Sequence, residues 1–225
     1  MSRTLVIPTL ALALAGVPAW ATPQQDIEKV NGSISAEAGQ VIGNMETVNG
    51  SIRIETGARA GNAETVNGSI TVAERAQVGN LQTVNGSIRV AREVRIGGSV
   101  ETVNGSVFVD RGGTVSGDVT TVNGAIGLVD TDLAGGIDTV NGDIAIGAGS
   151  HVKGGIHVEK PSRNWMPVSI GKRKPPRVVI GVNAVVEGPM VFEREVKLYV
   201  HQTARIGSVT GATAVRYSSD RAPAD

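Results

Sequence analysis

Residues 45–90 read METVNGSIRIETGARAGNAETVNGSITVAERAQVGNLQTVNGSIRV, and three copies of Thr-Val-Asn-Gly-Ser-Ile stand 18 residues apart within them. The Val-Asn-Gly part of this motif recurs at intervals of 18 or 19 residues, with its asparagine at Asn31, Asn49, Asn67, Asn85, Asn104, Asn123 and Asn141. Self-similarity at one short period is typical of solenoids, in which each repeat packs only against its neighbours. We therefore interpret the chain as a stack of repeated coils.

A six-residue period lies inside this repeat. Val30, Ala36, Ile42, Val48 and Ile54 begin a long series of small apolar residues spaced by six. An α-helix, with about 3.6 residues per turn, would spread such a series around its axis, whereas three short strands per coil place one member on each side. The period predicts that this series points into the core.

The fold class that follows is all-β. We predict a single-stranded parallel β-solenoid of about nine coils, each of 18–19 residues, with a roughly triangular section. A right-handed coil is favoured, because Ile52 and its equivalents are larger than the small residues that left-handed six-residue repeats prefer at that place.

The composition agrees with a narrow core built from small side chains. Of 225 residues 40% are hydrophobic but only 3% are aromatic, and there are 30 glycines and no cysteine. A stack of Val, Ile and Ala leaves little room for large rings. The lack of cysteine excludes disulfides and thiolate metal sites.

The first 21 residues are predicted to be a signal peptide. Arg3 supplies a positive start, residues 5–17 are apolar, and Ala19-Trp20-Ala21 fits a small-x-small cleavage site. We expect a periplasmic or secreted protein with no transmembrane segment after cleavage. The remaining segments are predicted as regular β-solenoid repeats (22–159), a basic, proline-rich inserted loop (160–177), irregular C-terminal coils with a cap (178–217) and a flexible tail (218–225).

The formal net charge of zero is unevenly distributed. Residues 22–159 carry a net charge of −7, and residues 160–225 carry +6. Insertions in solenoids often form the binding face, and a basic loop attracts anionic phospholipid or polysaccharide. The candidate contacts to such a surface are Lys160, Arg163, Trp165, Lys172, Arg173, Lys174 and Arg177. A second option is self-association, in which the acidic part of one copy binds the basic part of another. Nucleic acid is not an expected partner, because the protein is predicted to be exported and the loop has a single tryptophan.

The Asn-Gly pair is predicted to turn one corner of every coil. Glycine adopts positive φ without penalty, and asparagine tolerates it better than most residues. The seven stacked asparagines, from Asn31 to Asn141, are expected to form an amide ladder along the axis. We interpret them as a structural ladder rather than as a ligand site.

The polar side chains show no recognisable catalytic pattern. His151, His157 and His201 are interpreted as isolated surface residues. The acids Glu46, Glu64, Glu101 and Asp138 form a repeated outward column, whereas catalytic carboxylates would be one pair at a cleft. The threonine column from Thr47 to Thr139 is similar to the arrays on the flat faces of ice-binding solenoids, but its neighbour is acidic and Thr is a common strand residue. No enzyme, metal site or cofactor is predicted.

The ETVNGSI repeats resemble the adhesin-like β-strand-repeat domains of exported bacterial proteins. The run I-x-V-x-x-x-A-x-V-G-N over Ile70–Asn80 also resembles bactofilins, which are polymer-forming β-helical proteins. The resemblance covers about residues 30–158 and, more weakly, 178–210. It implies a non-catalytic exported structural or adhesin-like protein. The alternatives are a self-assembling, bactofilin-like scaffold and a carbohydrate-active or acyltransferase-like solenoid enzyme.

Overall fold

The computed structural model describes residues 25–161, 174–219 and 221–223. These residues form 27 strands in three parallel sheets, with no helix, and the chain passes from sheet to sheet through about nine turns. The predicted parallel β-solenoid is therefore confirmed. Within the described ranges no helix is long and apolar enough to span a membrane.

The first sheet, called here the Asn sheet, contains the strands that lead into the Asn-Gly corners. Its ten strands are β1 (Ile27–Asn31), β3 (Met45–Asn49), β5 (Ala63–Asn67), β8 (Leu81–Asn85), β11 (Val100–Asn104), β14 (Val119–Asn123), β17 (Ile137–Thr139), β20 (Ile156–Val158), β23 (Met190–Phe192) and β26 (Val209–Thr210).

The second sheet, called the Ile sheet, follows the Asn-Gly corners. Its ten strands are β2 (Ile34–Ala36), β4 (Ile52–Ile54), β6 (Ile70–Val72), β9 (Ile88–Val90), β12 (Val107–Val109), β15 (Ile126–Leu128), β18 (Ile144–Ile146), β21 (Arg177–Ile180), β24 (Lys197–His201) and β27 (Ala214–Tyr217).

The third sheet, called the short sheet, has strands of two residues and closes the triangle. They are β7 (Gln77–Val78), β10 (Arg95–Ile96), β13 (Thr114–Val115), β16 (Asp132–Leu133), β19 (His151–Val152), β22 (Val185–Val186) and β25 (Arg205–Ile206). Isolated bridges from Val41 to Arg59 and from Arg59 to Gln77 extend this sheet into the first two coils.

Equivalent residues of successive coils stand directly over one another. In the Asn sheet Glu46 pairs with Glu64, and Asn49 pairs with Asn67. Neighbouring strands in a sheet are about 4.8 Å apart, so each outward position becomes a straight row of side chains at that spacing. The inward positions form one continuous hydrophobic core along the whole stack.

One third of the six-residue series does not point into the core, which corrects the prediction. Val30, Val48 and Val66 are 68%, 41% and 40% exposed. Strand residues alternate between faces, and Met45 and Thr47 both face the core in β3. The valine between Thr47 and the corner must therefore face solvent, and a count of six along the chain misses this alternation.

The threonine column faces the core rather than a flat outer face, so its similarity to ice-binding arrays is limited to the sequence. Each side chain from Thr47 to Thr121 is at most 4% exposed. Each hydroxyl donates to the carbonyl of the corner glycine one coil earlier, as Thr65 does to Gly50 at 2.8 Å. The other pairs are Thr47 with Gly32, Thr83 with Gly68, Thr102 with Gly86 and Thr121 with Gly105. These bonds tie each of the first five corners to the coil that follows it, whereas the buried Thr139 hydroxyl has no such partner.

At the Asn-Gly corners other than Gly32 and Gly124, which have a positive φ, glycine is required by close packing rather than by backbone torsion. A Cβ on Gly68 would stand far inside van der Waals contact with the Gly50 carbonyl, and Gly86 meets Gly68 in the same way. Gly68 does not have a positive φ. The left-handed conformation instead recurs at the corner between the Ile sheet and the short sheet. Its residues there are Gly39, Gly57, Arg75, Glu93, Gly112, Asp130, Gly149 and Asn183.

Candidate functional site

The Asn-Gly corners carry a continuous ladder of side-chain amides. Each asparagine donates from Nδ2 to Oδ1 of the asparagine one coil earlier, as Asn85 does to Asn67 at 3.0 Å. The other five bonds join Asn49 to Asn31, Asn67 to Asn49, Asn104 to Asn85, Asn123 to Asn104 and Asn141 to Asn123 at 2.9–3.1 Å. Each internal amide therefore both donates and accepts along the axis, which satisfies its main hydrogen-bonding demands.

The ladder ends at Arg194, an arginine that the repeat does not predict. Arg194, in the loop after β23, donates from Nη1 to Asn141 Oδ1 at 2.7 Å and to the Val140 carbonyl at 2.9 Å. The next coil has Glu159 and the inserted segment where an asparagine would continue the ladder. The guanidinium thus satisfies the last acceptor. The only signal in the sequence is that the asparagines stop after Asn141.

Beside the ladder, the outer face of the Asn sheet presents two parallel rows. The Glu row consists of Glu28, Glu46, Glu64, Gln82, Glu101, Thr120 and Asp138, held in register by the strand pairing. The Val row consists of Val30, Val48, Val66, Val84, Val103, Val122 and Val140. A mostly acidic row and a row of exposed or partly exposed valines therefore run side by side along the rod.

A shallow groove occupies the first four coils of this face. It has a volume of about 540 Å³ and is lined by members of both rows together with Lys29, Thr47 and Thr65. We call it the N-terminal groove. Clefts that bind ligands usually measure about 300–1,000 Å³, so the groove is large enough for a few side chains of a partner.

The predicted basic contacts are only partly within the described residues. Arg163, Trp165, Lys172 and Arg173 lie outside them. Lys160 and Lys174 are exposed. Lys174 lines a polar pocket of about 260 Å³ with Arg194 and Asp143, next to the start of β21.

Arg177 differs from the other basic candidates, because its contacts are within the protein. It is half-buried at the start of β21, and its guanidinium lies 5.0 Å from the centre of the Tyr199 ring. Its Nη2 donates to the Pro223 carbonyl, and its backbone N–H donates to the Asp143 carboxylate at 2.8 Å. Arg177 therefore connects the start of β21 to the C-terminal tail.

The histidines are not isolated surface residues, which corrects the prediction. His157 follows Asp138 in the Glu row, with its Nδ1 3.5 Å from Asp138 Oδ1 and its Nε2 3.3 Å from Glu193 Oε1. A hydrogen bond from the Lys160 backbone N–H, followed by that from His157, lowers the pKa of Glu193. On the short sheet, His151 Nε2 lies 2.7 Å from Glu187 Oε1.

His201 and Tyr217 fill the C-terminal end of the core. His201 is 5% exposed and Tyr217 is 9% exposed, and their rings meet edge to face at 5.1 Å. The Tyr217 hydroxyl donates to the Ile180 carbonyl at 3.2 Å, two coils back. Larger rings thus close this end of the stack, where the regular Val, Ile and Ala layers stop.

Comparison of the chain with protein-family models, with curated proteins and with solved structures gave no match. The candidate site is therefore defined by the geometry of the amide ladder and of the Glu and Val rows, and by the sequence of the basic segment 160–177.

Proposed function

We propose that this protein is an exported, non-catalytic structural β-solenoid of adhesin-like type. The observation that carries the proposal is the strict register of the Asn sheet, which repeats acidic, apolar and amide side chains coil after coil. Such rows offer an extended surface on which many weak contacts add together. The rigid backbone underneath holds the rows straight, which suits a role in contact with another surface.

The basic segment 160–177 is the proposed contact to an anionic envelope surface, either phospholipid or polysaccharide. Of its cations within the described residues, Lys174 is exposed and lines a polar pocket with half-buried Arg194 at one corner of the rod. Each cation close to an anionic membrane contributes about 1 kcal/mol of attraction. A segment with several cations and an aromatic ring can therefore hold the rod at such a surface.

Vesicle sedimentation tests this contact. The chain from Thr22 should sediment with vesicles that contain anionic lipid and not with purely zwitterionic vesicles. Binding should be lost when five loop cations, Lys160, Arg163, Lys172, Arg173 and Lys174, are changed to Ser. A matched variant removes five cations elsewhere, Arg53, Arg59, Arg75, Arg89 and Arg95, and should still bind. Equal loss in both variants, or binding to neither vesicle nor polysaccharide, would reject the contact.

Export is tested separately by cell fractionation and mass spectrometry. The prediction is a periplasmic or secreted protein whose N-terminal residue is Thr22. A full-length cytoplasmic product would contradict it.

Self-assembly is a second candidate function, favoured by the ends of the stack. Strands β1 and β2 at one end, and β26 and β27 at the other, each have a strand neighbour on one side only within the described residues. Open strand edges are templates for pairing with another chain. Filaments in electron micrographs, disrupted by Ala214→Lys at the C-terminal edge, would support it, whereas monodisperse monomers at high concentration would reject it.

A further inference from the structure

We propose that the N-terminal groove of one copy binds the basic segment 160–177 of a second copy. This contact between copies goes beyond the surface association proposed above. It differs also from edge-to-edge stacking, because it uses the side of the rod and leaves the strand edges unchanged.

The groove combines exposed apolar surface with aligned acids. Val30, Val48 and Val66 are the exposed members of the Val row here, and they are at least 40% exposed. Scattered exposed valines are ordinary, but a contiguous row next to a charged row is typical of an interaction surface. The row has no covering element among the described residues.

The charge of the groove favours a cationic occupant. Glu28, Glu46 and Glu64 stand in register one coil apart along one wall. The single cation in the lining, Lys29, donates from its ammonium group to the Ser33 carbonyl at 2.9 Å. The lining therefore holds three carboxylates and one ammonium group, which is already hydrogen-bonded, so the net charge of the groove is negative.

The basic segment carries both apolar and cationic side chains, which complement the Val row and the Glu row, and its length is similar to that of the groove. Its first part carries Trp165, Met166, Val168 and Ile170, which suit a row of valines, and its second part carries the cations of residues 172–174. The four valines from the first to the fourth coil span about 14 Å, which an extended chain covers in about four to five residues. The segment is therefore long enough to place apolar residues on the Val row and lysines beside the Glu row.

The geometry assigns this contact to a second copy rather than to the same chain. The segment leaves the stack after β20 and returns at β21, in the eighth coil, whereas the groove lies on coils one to four. The first coil is seven steps away, about 34 Å. The chain from Lys160 to Lys174 must go out and come back, so only about seven of its residues lead outward. Fully extended, they reach about 24 Å. Within one chain it would reach only the near edge of the groove, on the third and fourth coils, and not Val30 and Val48 on the first two.

Fluorescence of Trp165 tests the proposal directly, because it is the only tryptophan in the chain from Thr22. The reporter copy keeps Trp165 and its cations but carries Glu28→Gln, Glu46→Gln and Glu64→Gln. The acceptor copy keeps the groove but carries Trp165→Phe, Lys172→Ser, Arg173→Ser and Lys174→Ser. Trp165 emission then reports only on the reporter's segment, and the only groove that keeps its carboxylates is the acceptor's.

Adding acceptor to reporter should shift Trp165 emission to the blue and saturate, and the apparent Kd should rise about tenfold between low and high salt. A control acceptor that also carries Glu37→Gln, Glu55→Gln and Glu74→Gln has lost the same charge away from the groove and should still give the shift. An acceptor that also carries the three groove substitutions should give none.

Two results would overturn the proposal: no change in emission up to about 1 mM acceptor, or an equal shift with the groove-substituted acceptor. Circular dichroism of every variant verifies that the coils are intact. Failure here leaves vesicle binding unaffected, and failure of vesicle binding leaves this contact standing, so the two proposals are judged separately.

Discussion

At the scale of single residues, space along the axis decides which side chain is permitted. Gly68 has ordinary backbone torsion but no room for a Cβ against the Gly50 carbonyl, while Gly57 has ample room but a φ of +70°. Lack of space therefore selects glycine at Gly68 and backbone torsion favours it at Gly57, although Arg75 and Glu93 occupy the second corner in other coils. A sequence pattern shows the same letter in both places.

This difference predicts unequal effects of alanine. Gly68→Ala should lower the free energy of unfolding by about 2–3 kcal/mol, because the corners must separate to admit the methyl group. Gly57→Ala should lower it by about 1 kcal/mol, the usual strain of a left-handed alanine. Urea unfolding of both variants measures the two values. A smaller effect at Gly68 than at Gly57 would contradict axial crowding.

At the scale of elements, the regular coils and the last coil are closed by different side chains. The regular coils end in amides and glycines, whereas the last coil uses the buried ring of Tyr217 in β27. Burial raises the pKa of the Tyr217 hydroxyl, and Arg177 opposes this more weakly. The neutral phenol is the form that the folded protein favours.

A pH dependence follows from the raised pKa. The contribution of Tyr217 to stability should be complete below the usual tyrosine pKa of about 10, and it should be lost as the pH rises through the higher folded value. Tyr217→Phe should cost about 1 kcal/mol at neutral pH through the lost hydrogen bond to Ile180. Its stability should then fall less steeply than that of the wild type above about pH 10.

Denaturant unfolding of both proteins between neutral and alkaline pH measures this difference. Tyr199→Phe serves as the control, since Tyr199 faces outward on β24. Parallel alkaline slopes for the wild type and Tyr217→Phe would show that the end coil does not depend on the protonated phenol.

At the scale of the whole molecule, the rod is a one-dimensional stack. Every strand pairs only with strands of the neighbouring coils. In such stacks stability is close to a sum of terms for each coil and each interface. One complete coil is therefore removable without changing the contacts made by the others.

Deletion of residues 68–85 removes one coil of 18 residues and joins Asn67 to Gly86. The shortened chain should fold, because the register of all three sheets is restored at the junction. Its unfolding temperature should be modestly lower, and its circular dichroism per residue should be unchanged. Deletion of residues 68–76 breaks the register and should not give a folded protein. If both deletions behave alike, the stack is not modular.

The repeat predicted the fold because its period is the perimeter of one coil. It did not predict which side chains point inward, since Val48 and Thr47 differ only in the alternation along β3. It also did not predict the contacts of His157 and Arg194. Both reach partners across the inserted segment, 36 residues away for Glu193 and 53 for Asn141, where the period is interrupted. A contact that is made only once in the structure does not appear as a repeated pattern in the sequence.

The amide ladder gives the rod an electrical direction. All its amides point the same way, so an N–H group faces outward at Asn31 and a carbonyl oxygen faces the eighth coil at Asn141. Aligned amide dipoles add, as they do in an α-helix, and a cation at the oxygen end is stabilised. Arg194 stands at that end, as a lysine or arginine does at a helix C-terminus. The ladder therefore has a net dipole along the rod. The two ends of the rod would present opposite partial charges to any surface that they meet.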